Sequence, residues 1–321
     1  MKAIRVYEFG GPGNMHIEEI ADPRPAARQL VIAVKAAGVN PIDTYIRSGT
    51  YARKKPPLPY TPGFDAAGIV ESIGPEVRRF KPGDRVFVSG NITGAYAEKT
   101  LCDDETVYPL PEHLSFAQGA GVWVPYATAY QALNQVTRAR AGETLLVHGA
   151  SGGVGIACVQ TALALGLRVI GTAGSEKGRQ VVRELGVHAS LDHHAADLTT
   201  QVLNVTEGRG PDIIIEMLAN VNLSRDLGMV AHRGRIIIIG NRGTIEINPR
   251  DAMSKDAAIL GMLLLNATSD EIMRISAGVA AGLANKSLSP VVGREFPLEQ
   301  APRAHEAVLT PGALGKIALI P

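Results

Sequence analysis

Two cysteines in 321 residues, Cys102 and Cys158, are too few to staple a fold, which argues against a disulfide framework. Cys158 falls in an apolar helical run, where a small hydrophobe is wanted. Nowhere does an apolar stretch approach the roughly 20 residues that cross a bilayer. The opening residues, MKAIRVYEFGG, have no signal-like apolar region. A reducing cytoplasm is the expected location. Charge of one sign is lacking too: 32 Lys and Arg against 31 Asp and Glu leave a net charge of +1. That balance supplies no drive toward nucleic acid or an anionic membrane. The basic run Arg53-Lys54-Lys55 reads as a solvated loop. Internal repeats and low-complexity segments are also missing.

The most informative stretch is residues 144–166, TLLVHGASGGVGIACVQTALALG. A short apolar strand runs into a glycine-rich turn, which opens a helix of small apolar residues. Against the pattern G-x-G-x-x-G, Ala150 stands at the first glycine, followed by Gly152 and Gly155. Glycines here let backbone N–H groups approach a pyrophosphate and let the helix sit close to the sheet. The positive helix end then faces the phosphates. Further apolar strands are predicted at 167–172, 211–218 and 234–240, with a sixth candidate at 258–264 and a helix at 175–185 between them. Such alternation implies an α/β fold, a doubly wound parallel sheet covered on both faces. The segment reads as a Rossmann domain.

The second strand of an NAD site usually ends in an acid that binds the ribose 2′-hydroxyl. Here the tip reads Gly171-Thr172-Ala173-Gly174-Ser175-Glu176-Lys177, and the nearest acid lies past the strand beside a lysine. An acid at the tip would repel a 2′-phosphate; Gly174, Ser175 and Lys177 would accommodate one. NADPH is the expected cofactor. Ser175 and Lys177 read equally as a helix cap and a solvated charge.

Around this segment the chain changes character. Short strands at 3–8, 30–37, 67–73 and 85–88 alternate with Pro/Gly turns such as Thr61-Pro62-Gly63 and Lys81-Pro82-Gly83-Asp84, which predicts a β-rich domain. Residues 114–136 read as largely helical, and a further helix is expected at 269–284. The tail returns to strand, helix and strand at 291–296, 298–309 and 316–320. The expected domains are 1–124 with 267–321, β-rich, and 125–266, the Rossmann unit.

This layout resembles the medium-chain dehydrogenase/reductase superfamily. The runs Gly38-Val39-Asn40-Pro41 and Asp43-Thr44-Tyr45-Ile46-Arg47-Ser48-Gly49-Thr50-Tyr51, VHGASGGVG at 147–155, EMLANVNLS at 216–224 and GTIEINPRD at 243–251 are similar to the zinc-free, zeta-crystallin-like quinone oxidoreductase branch. The resemblance implies that the β-rich part is a GroES-like domain. It also implies that the nicotinamide lies in a cleft between the domains, at the strand carboxyl ends. Carried over residue by residue, it places Tyr45 and Thr128 at the nicotinamide end, and Ser151, Gly152, Gly153 and Val154 around the pyrophosphate. Gly174, Ser175 and Lys177 would meet the 2′-phosphate, with His193 on the adenosine side and Asn222 near a ribose. Ile239, Gly240, Asn241 and Arg242, with Met262, Leu263 and Leu264, would hold the nicotinamide ring through backbone groups. Lys316 is a further candidate for a phosphate. Asn222 reads equally as a helix cap, and Arg242 as loop decoration. Met262, Leu263 and Leu264 would be apolar in any buried strand.

Zinc-dependent members of the superfamily need Cys and His ligands on the β-rich domain. This chain has Asn40 in the region of the first ligand and Gly63-Phe64-Asp65 where those enzymes carry G-H-E. It has no cysteine cluster, so no metal is expected. Without a Lewis acid, alcohol oxidation is hard; a quinone accepts electrons unaided. Tyr45 and Tyr51 offer flat faces and hydroxyls to a planar quinone, though both also read as core packing. Asn40 and Asp43 are expected to orient the substrate, with no general acid required. The resemblance implies small ortho-quinones reduced one electron at a time, which nothing in the residues distinguishes from hydride transfer. Reduction of 2-alkenals or enones is the enzymatic alternative. The resemblance also brings a role in binding AU-rich RNA or in structure beside the enzyme, which the near-neutral charge disfavours. A homodimer or homotetramer is expected, paired through the region of the fifth and sixth strands.

Overall fold

The computed structural model describes residues 1–51, 55–312 and 314–321. Arg53 and Lys54 of the basic run lie outside them, while Lys55 sets its ammonium 5.2 Å from the centre of the Phe9 ring. The chain divides into two compact units, Met1–Val124 with Ser289–Pro321, and Pro125–Leu288.

The first unit opens with an antiparallel pair, β1 (Lys2–Val6) and β2 (Met15–Glu19). There follow β3 (Gln29–Val39), helix α1 (Pro41–Ser48), β4 (Asp65–Ile73), β5 (Arg85–Val88), β6 (Lys99–Asp103), β7 (Val107–Pro109) and the short helix α2 (Phe116–Gly119). β3 reads LVIAV through its first half and is buried on both faces there, as a central strand must be. Asn40 caps α1, Pro41 sits at its first position, and the Asp43 carboxylate accepts the Asn40 N–H at 2.8 Å, so the helix start is fixed by three adjacent signals.

Helix α3 (Trp123–Tyr130) contains the unit boundary and runs into a π-helical segment, Gln131–Val136. The stretch 114–136, read as one helical region, is thus three short pieces. The second unit then alternates without exception: β8 (Thr144–Val147), α4 (Gly153–Ala164), β9 (Arg168–Ala173), α5 (Glu176–Glu184), β10 (Ala189–Asp192), α6 (Leu198–Val205), β11 (Ile213–Glu216), α7 (Ala219–Met229), β12 (Arg235–Ile238), α8 (Pro249–Met253), β13 (Ala258–Gly261) and α9 (Ser269–Ala284). Among the described residues six strands form one parallel sheet in the order β10-β9-β8-β11-β12-β13. Leu145, Leu146 and Val147 on β8 and Ile213, Ile214 and Ile215 on β11 are fully buried, the continuous apolar runs of a sheet covered on both faces. The strand order reverses beside β8, so the switch point, where such sheets bind ligands, lies at the carboxyl ends of β8 and β11.

Two expectations are corrected here. The sixth strand stops at Gly261, and Leu264 enters a 3-10 turn, Leu264–Asn266. β13 is the sheet edge, so its residues alternate between half-buried and exposed instead of lying in a core; Ile259 is exposed. The chain also returns to the first unit at Ser289, not at residue 267. α9 belongs to the second unit because it packs on the π segment and the end of α3: Gln135 donates to the Glu271 carbonyl at 3.2 Å, and a Cβ added at Gly278 would lie 2.1 Å from the Tyr130 ring. Beyond it, β14 (Val292–Pro297), α10 (Ala301–Leu309) and β15 (Lys316–Ile320) complete the first sheet, in the order β14-β15-β3-β4-β5-β7, with β6 also paired to β3. Ile317 and Leu319 of β15 and Phe296 of β14 join Leu30, Ile32 and Val70 in the core of that unit.

Candidate functional site

The glycine-rich turn is held from below. Ala150 N–H donates to the Thr172 carbonyl at 2.8 Å and Gly149 N–H to the Thr172 hydroxyl at 3.3 Å, tying the turn to the end of β9. Gly149 has φ +61°, the left-handed region open to glycine at no steric cost. Gly155 is forced by contact: a Cβ there would lie 2.2 Å from the Gly149 carbonyl oxygen. Gly152 caps α4 with no side chain, and Gly152, Gly153 and Val154 are only half-buried. The first N–H groups of a twelve-residue helix are therefore left without a capping side chain. That is the donor arrangement a pyrophosphate fits. Ser151 lies buried within the same turn.

At the tip of β9, Gly174 makes room for two histidines; a Cβ would come within 2.4 Å of the His193 ring and 2.6 Å of the His194 ring. These rings meet edge to face at 4.4 Å. Burial, and then the neighbouring His194, hold His193 below the usual imidazole range, so it is a neutral ring at pH 7. Ser175 caps α5, its hydroxyl accepting the Gly178 N–H at 3.1 Å. The nearest acid, Glu176, is pinned by Arg183 and by Arg179, the latter at 2.9 Å. Lys177 stands exposed beside it. A carboxylate committed to two guanidinium groups neither seeks a ribose hydroxyl nor leaves an uncompensated charge to repel a phosphate.

Asn222, expected near a ribose, is engaged inside its own unit. Its amide donates to Glu216 Oε1 at 3.2 Å, and its oxygen accepts from Arg225 at 2.7 Å. Ile239 and Gly240 follow β12, and both backbone N–H groups bond the Glu216 carbonyl. Asn241 and Arg242 are exposed; Arg242 N–H donates to the Asn220 side chain at 2.9 Å. Met262, Leu263 and Leu264 are half-buried, Met262 N–H bonding the Ile238 carbonyl at 3.1 Å. Thr128 is buried on α3.

In the first unit, Asn40 and Asp43, expected to orient the substrate, are both buried and bonded to groups of that unit. The Asn40 side chain accepts from Lys316 Nζ at 2.6 Å and donates to Asp65 Oδ2 at 3.1 Å. Asp43 accepts the Tyr96 hydroxyl at 3.2 Å; Tyr96 in turn meets His305 Nε2 at 3.1 Å, and Arg47 Nε donates to His305 Nδ1 at 3.2 Å. Burial raises the Asp43 carboxyl to about 7 and lowers the His305 imidazole to about 3. Lys316, expected at a phosphate, has its ammonium enclosed, with Asp65 Oδ2 also 2.6 Å away. Tyr45 and Tyr51 are half-buried, and the Tyr45 carbonyl accepts the N–H groups of both Thr50 and Tyr51, closing the end of α1 into a tight loop that carries the two rings.

Both cysteines are buried, and burial raises the Cys102 thiol to about 12. Among the described residues, His148, Glu216 and Asp226 bring ligand-type atoms within 4.8 Å of one another, all three buried. None of the three was singled out from the sequence. The one available signal was position: His148 follows β8 and Glu216 ends β11, at the carboxyl edge of the sheet.

Residues 26–112 match the model described as an alcohol dehydrogenase GroES-like domain, and residues 153–277 the model described as a zinc-binding dehydrogenase. The quinone oxidoreductase of Homo sapiens is 50% identical over 322 residues, covering 100% of this chain and 98% of that one. The chain belongs to the quinone oxidoreductase family. The Pseudomonas aeruginosa quinone oxidoreductase is 31% identical, over 100% of this chain and 99% of its own length. The Escherichia coli quinone oxidoreductase complexed with NADPH superposes with a TM-score of 0.88 at 30% identity, covering 100% of both chains. This family likeness agrees with the sequence resemblance, with the GroES-like assignment of the first unit and with the Rossmann sheet of the second.

Proposed function

We propose that this chain is an NADPH-dependent quinone reductase that passes electrons from NADPH to small quinones, ortho-quinones in particular, without a metal ion. The observation that carries the reading is the 50% identity to a quinone oxidoreductase along the entire chain. The uncapped start of α4 and the β9 tip fit the cofactor. Gly152, Gly153 and Val154 bind its pyrophosphate, Ser175 and Lys177 its 2′-phosphate, and the neutral His193 ring packs on the adenosine side. When bound, NADPH supplies the reducing equivalents. The protein positions the reactants and excludes water. Tyr45 and Tyr51 present planar faces to the quinone, while Asn40 and Asp43 brace the helix that carries Tyr45. Asn40 stands in the region of the first zinc ligand of the zinc-dependent members and Phe64 at the histidine of their G-H-E run, while Asn40 and the neighbouring Asp65 grip the Lys316 ammonium.

The test is turnover of an ortho-quinone and of a 2-alkenal, each with NADPH and NADH, before and after a chelator. The quinone should be consumed with NADPH at a rate the chelator leaves unchanged. A preference for the alkenal, or loss of turnover on chelation, counts against the proposal. Lys177→Ala is expected to raise KM for NADPH about fivefold, one charge-assisted contact at a screened surface, and to leave KM for NADH unchanged. Equal effects on both cofactors would remove Lys177 from the 2′-phosphate site.

The location proposed is the cytoplasm; no described helix is long and apolar enough to cross a membrane. A homo-oligomer is proposed through the edge strand β13, whose outer backbone groups have no neighbouring strand in the sheet order and whose Ile259 is exposed. Ile259→Lys should shift the mass measured by light scattering from that of an oligomer to 33.9 kDa. An unchanged mass would exclude this edge. With charges so evenly balanced, no salt-sensitive binding of AU-rich RNA is expected in a filter assay.

A further inference from the structure

Beneath the glycine-rich turn lies a buried network that the proposed electron transfer does not use. His148 follows β8, Thr172 lies on β9, Glu216 ends β11 and Asp226 sits on α7; all four are essentially sealed from solvent. His148 Nε2 is 2.8 Å from Asp226 Oδ1 and 3.7 Å from Glu216 Oε2. Its other nitrogen, Nδ1, is 3.5 Å from the Thr172 hydroxyl, the group that accepts the Gly149 N–H. On the far side, Glu216 Oε1 accepts the Leu218 N–H and, at 3.2 Å, the Asn222 amide, fixing the start of α7. Ala219 N–H then reaches the Gly240 carbonyl at 3.0 Å. The network thus joins the turn over α4 to the segment after β12.

Counting donors shows what holds it together. Glu216 Oε2 and Asp226 Oδ2 are buried and meet no N–H or hydroxyl donor. One oxygen of each carboxyl group lies within 4.8 Å of the other and of the His148 ring, all sealed from solvent. Two buried carboxyl groups this close, with no donor on their outer oxygens, are held together at least cost when one of them carries a proton. His148 Nε2–H donates to Asp226, which makes Asp226 the ionised member and Glu216 the acid.

We propose that His148, Asp226 and Glu216 form a positioning unit that keeps the glycine-rich turn and the start of α7 in their cofactor-binding shape only while a proton is shared between the two carboxyl groups. This rests on the nucleotide site proposed above and adds its regulation by pH. Loss of the proton sets two negative charges side by side in a buried site, and they separate. The elements connected by Leu218, Asn222 and Gly149 move with them. Burial, and then the neighbouring Asp226 carboxyl, raises Glu216 to about 7. An acid raised in this way favours the intact network at low pH and loses it as pH climbs through that value. The other groups facing the network are Arg225 and His193. Burial holds both His148, at about 4, and His193 below the usual imidazole range, so neither titrates on the alkaline side. A 2′-phosphate takes its second charge near pH 6, below the same window.

The experiment is the Kd for NADPH, by fluorescence titration from pH 6 to 9, on the full-length wild type, Glu216→Gln and Asp226→Asn, with melting temperatures at each pH. A glutamine at 216 keeps both acceptor bonds and donates permanently to Asp226; an asparagine at 226 donates permanently to Glu216. The wild-type Kd should rise about fivefold between pH 7 and 8.5, whereas both variants stay flat within about twofold. A flat wild type, or variants that follow its rise, overturns the inference. So does a wild-type melting temperature that falls on adding a chelator, which would put a cation where the proton is placed. Should the wild type bind no NADPH at any pH, the nucleotide-site reading fails. The carboxyl pair is then judged by stability, whose alkaline loss must disappear in both variants.

Discussion

Gly152→Ala is expected to leave the melting temperature unchanged and to weaken NADPH binding tenfold or more. The fold tolerates the methyl group: Gly152 has φ −81° and ψ 169°, and the nearest atom to an added Cβ is the Gly149 oxygen at 3.5 Å. What suffers is the approach to the first N–H groups of α4. Displacing a phosphate from one or two charge-assisted hydrogen bonds forfeits about 1.5–3 kcal/mol, or roughly ten- to a hundredfold in affinity. Gly155→Ala separates the same two effects in the opposite sense. Its Cβ would press on the Gly149 oxygen at 2.2 Å and the Ala150 Cα at 2.7 Å, both backbone atoms that cannot rotate away. Overpacking of this kind costs about 1–3 kcal/mol, so the melting temperature should fall along with the affinity. Calorimetry of NADPH binding and thermal scans on both variants decide the matter. If Gly152→Ala binds as tightly as the parent, the phosphates do not lie over this helix end.

How much of this was legible in the sequence depends on the range of the interaction concerned. The parallel sheet was legible because buried strands write themselves as runs such as IIIE and TLLV, and the turn into α4 is local chemistry. The edge character of β13 was not, since an apolar strand reads alike at an edge and in a core until its neighbours are known. The return of the chain at Ser289 was missed for a similar reason: α9 was recognised as a helix, but the partner it packs on, the π segment near Tyr130, is far away in sequence. Among the site residues, those with local roles, Gly152, Gly155 and Ser175, lie where their spacing places them. Residues bound to distant partners gave no local sign of those partners. Lys316 looked like a phosphate ligand because nothing local shows that Asn40, 276 residues away, and Asp65, 251 residues away, enclose its ammonium. Glu216 and Asp226 look like any acids of a strand end and a helix.

That enclosure sets the other large expected effect, on Lys316→Met. The ammonium and the Asp65 carboxylate are both buried, at 4% and 1% side-chain exposure, and 2.6 Å apart. The remaining Asp65 oxygen accepts the Val124 N–H at 3.0 Å, so the carboxylate links the last strand, β15, to the end of the first unit. Removing one partner of a buried pair leaves the other charged and uncompensated, which costs about 3–5 kcal/mol. Lys316→Met and Asp65→Asn should each lower the melting temperature steeply. The double variant, with no buried charge left, should recover most of the loss, a coupling of a few kcal/mol that independent sites would not produce. The effect should also reach the substrate. Asn40 caps α1, and without the Lys316 ammonium its side chain loses the 2.6 Å bond that anchors the helix start below Tyr45. A raised KM for the quinone in Lys316→Met, restored in the double variant together with stability, would tie the ion pair to the placement of Tyr45. Losses that simply add in the double variant would mean that the two charges do not depend on each other, and the support of α1 would then rest on bonds such as Asp43–Tyr96 and Arg47–His305.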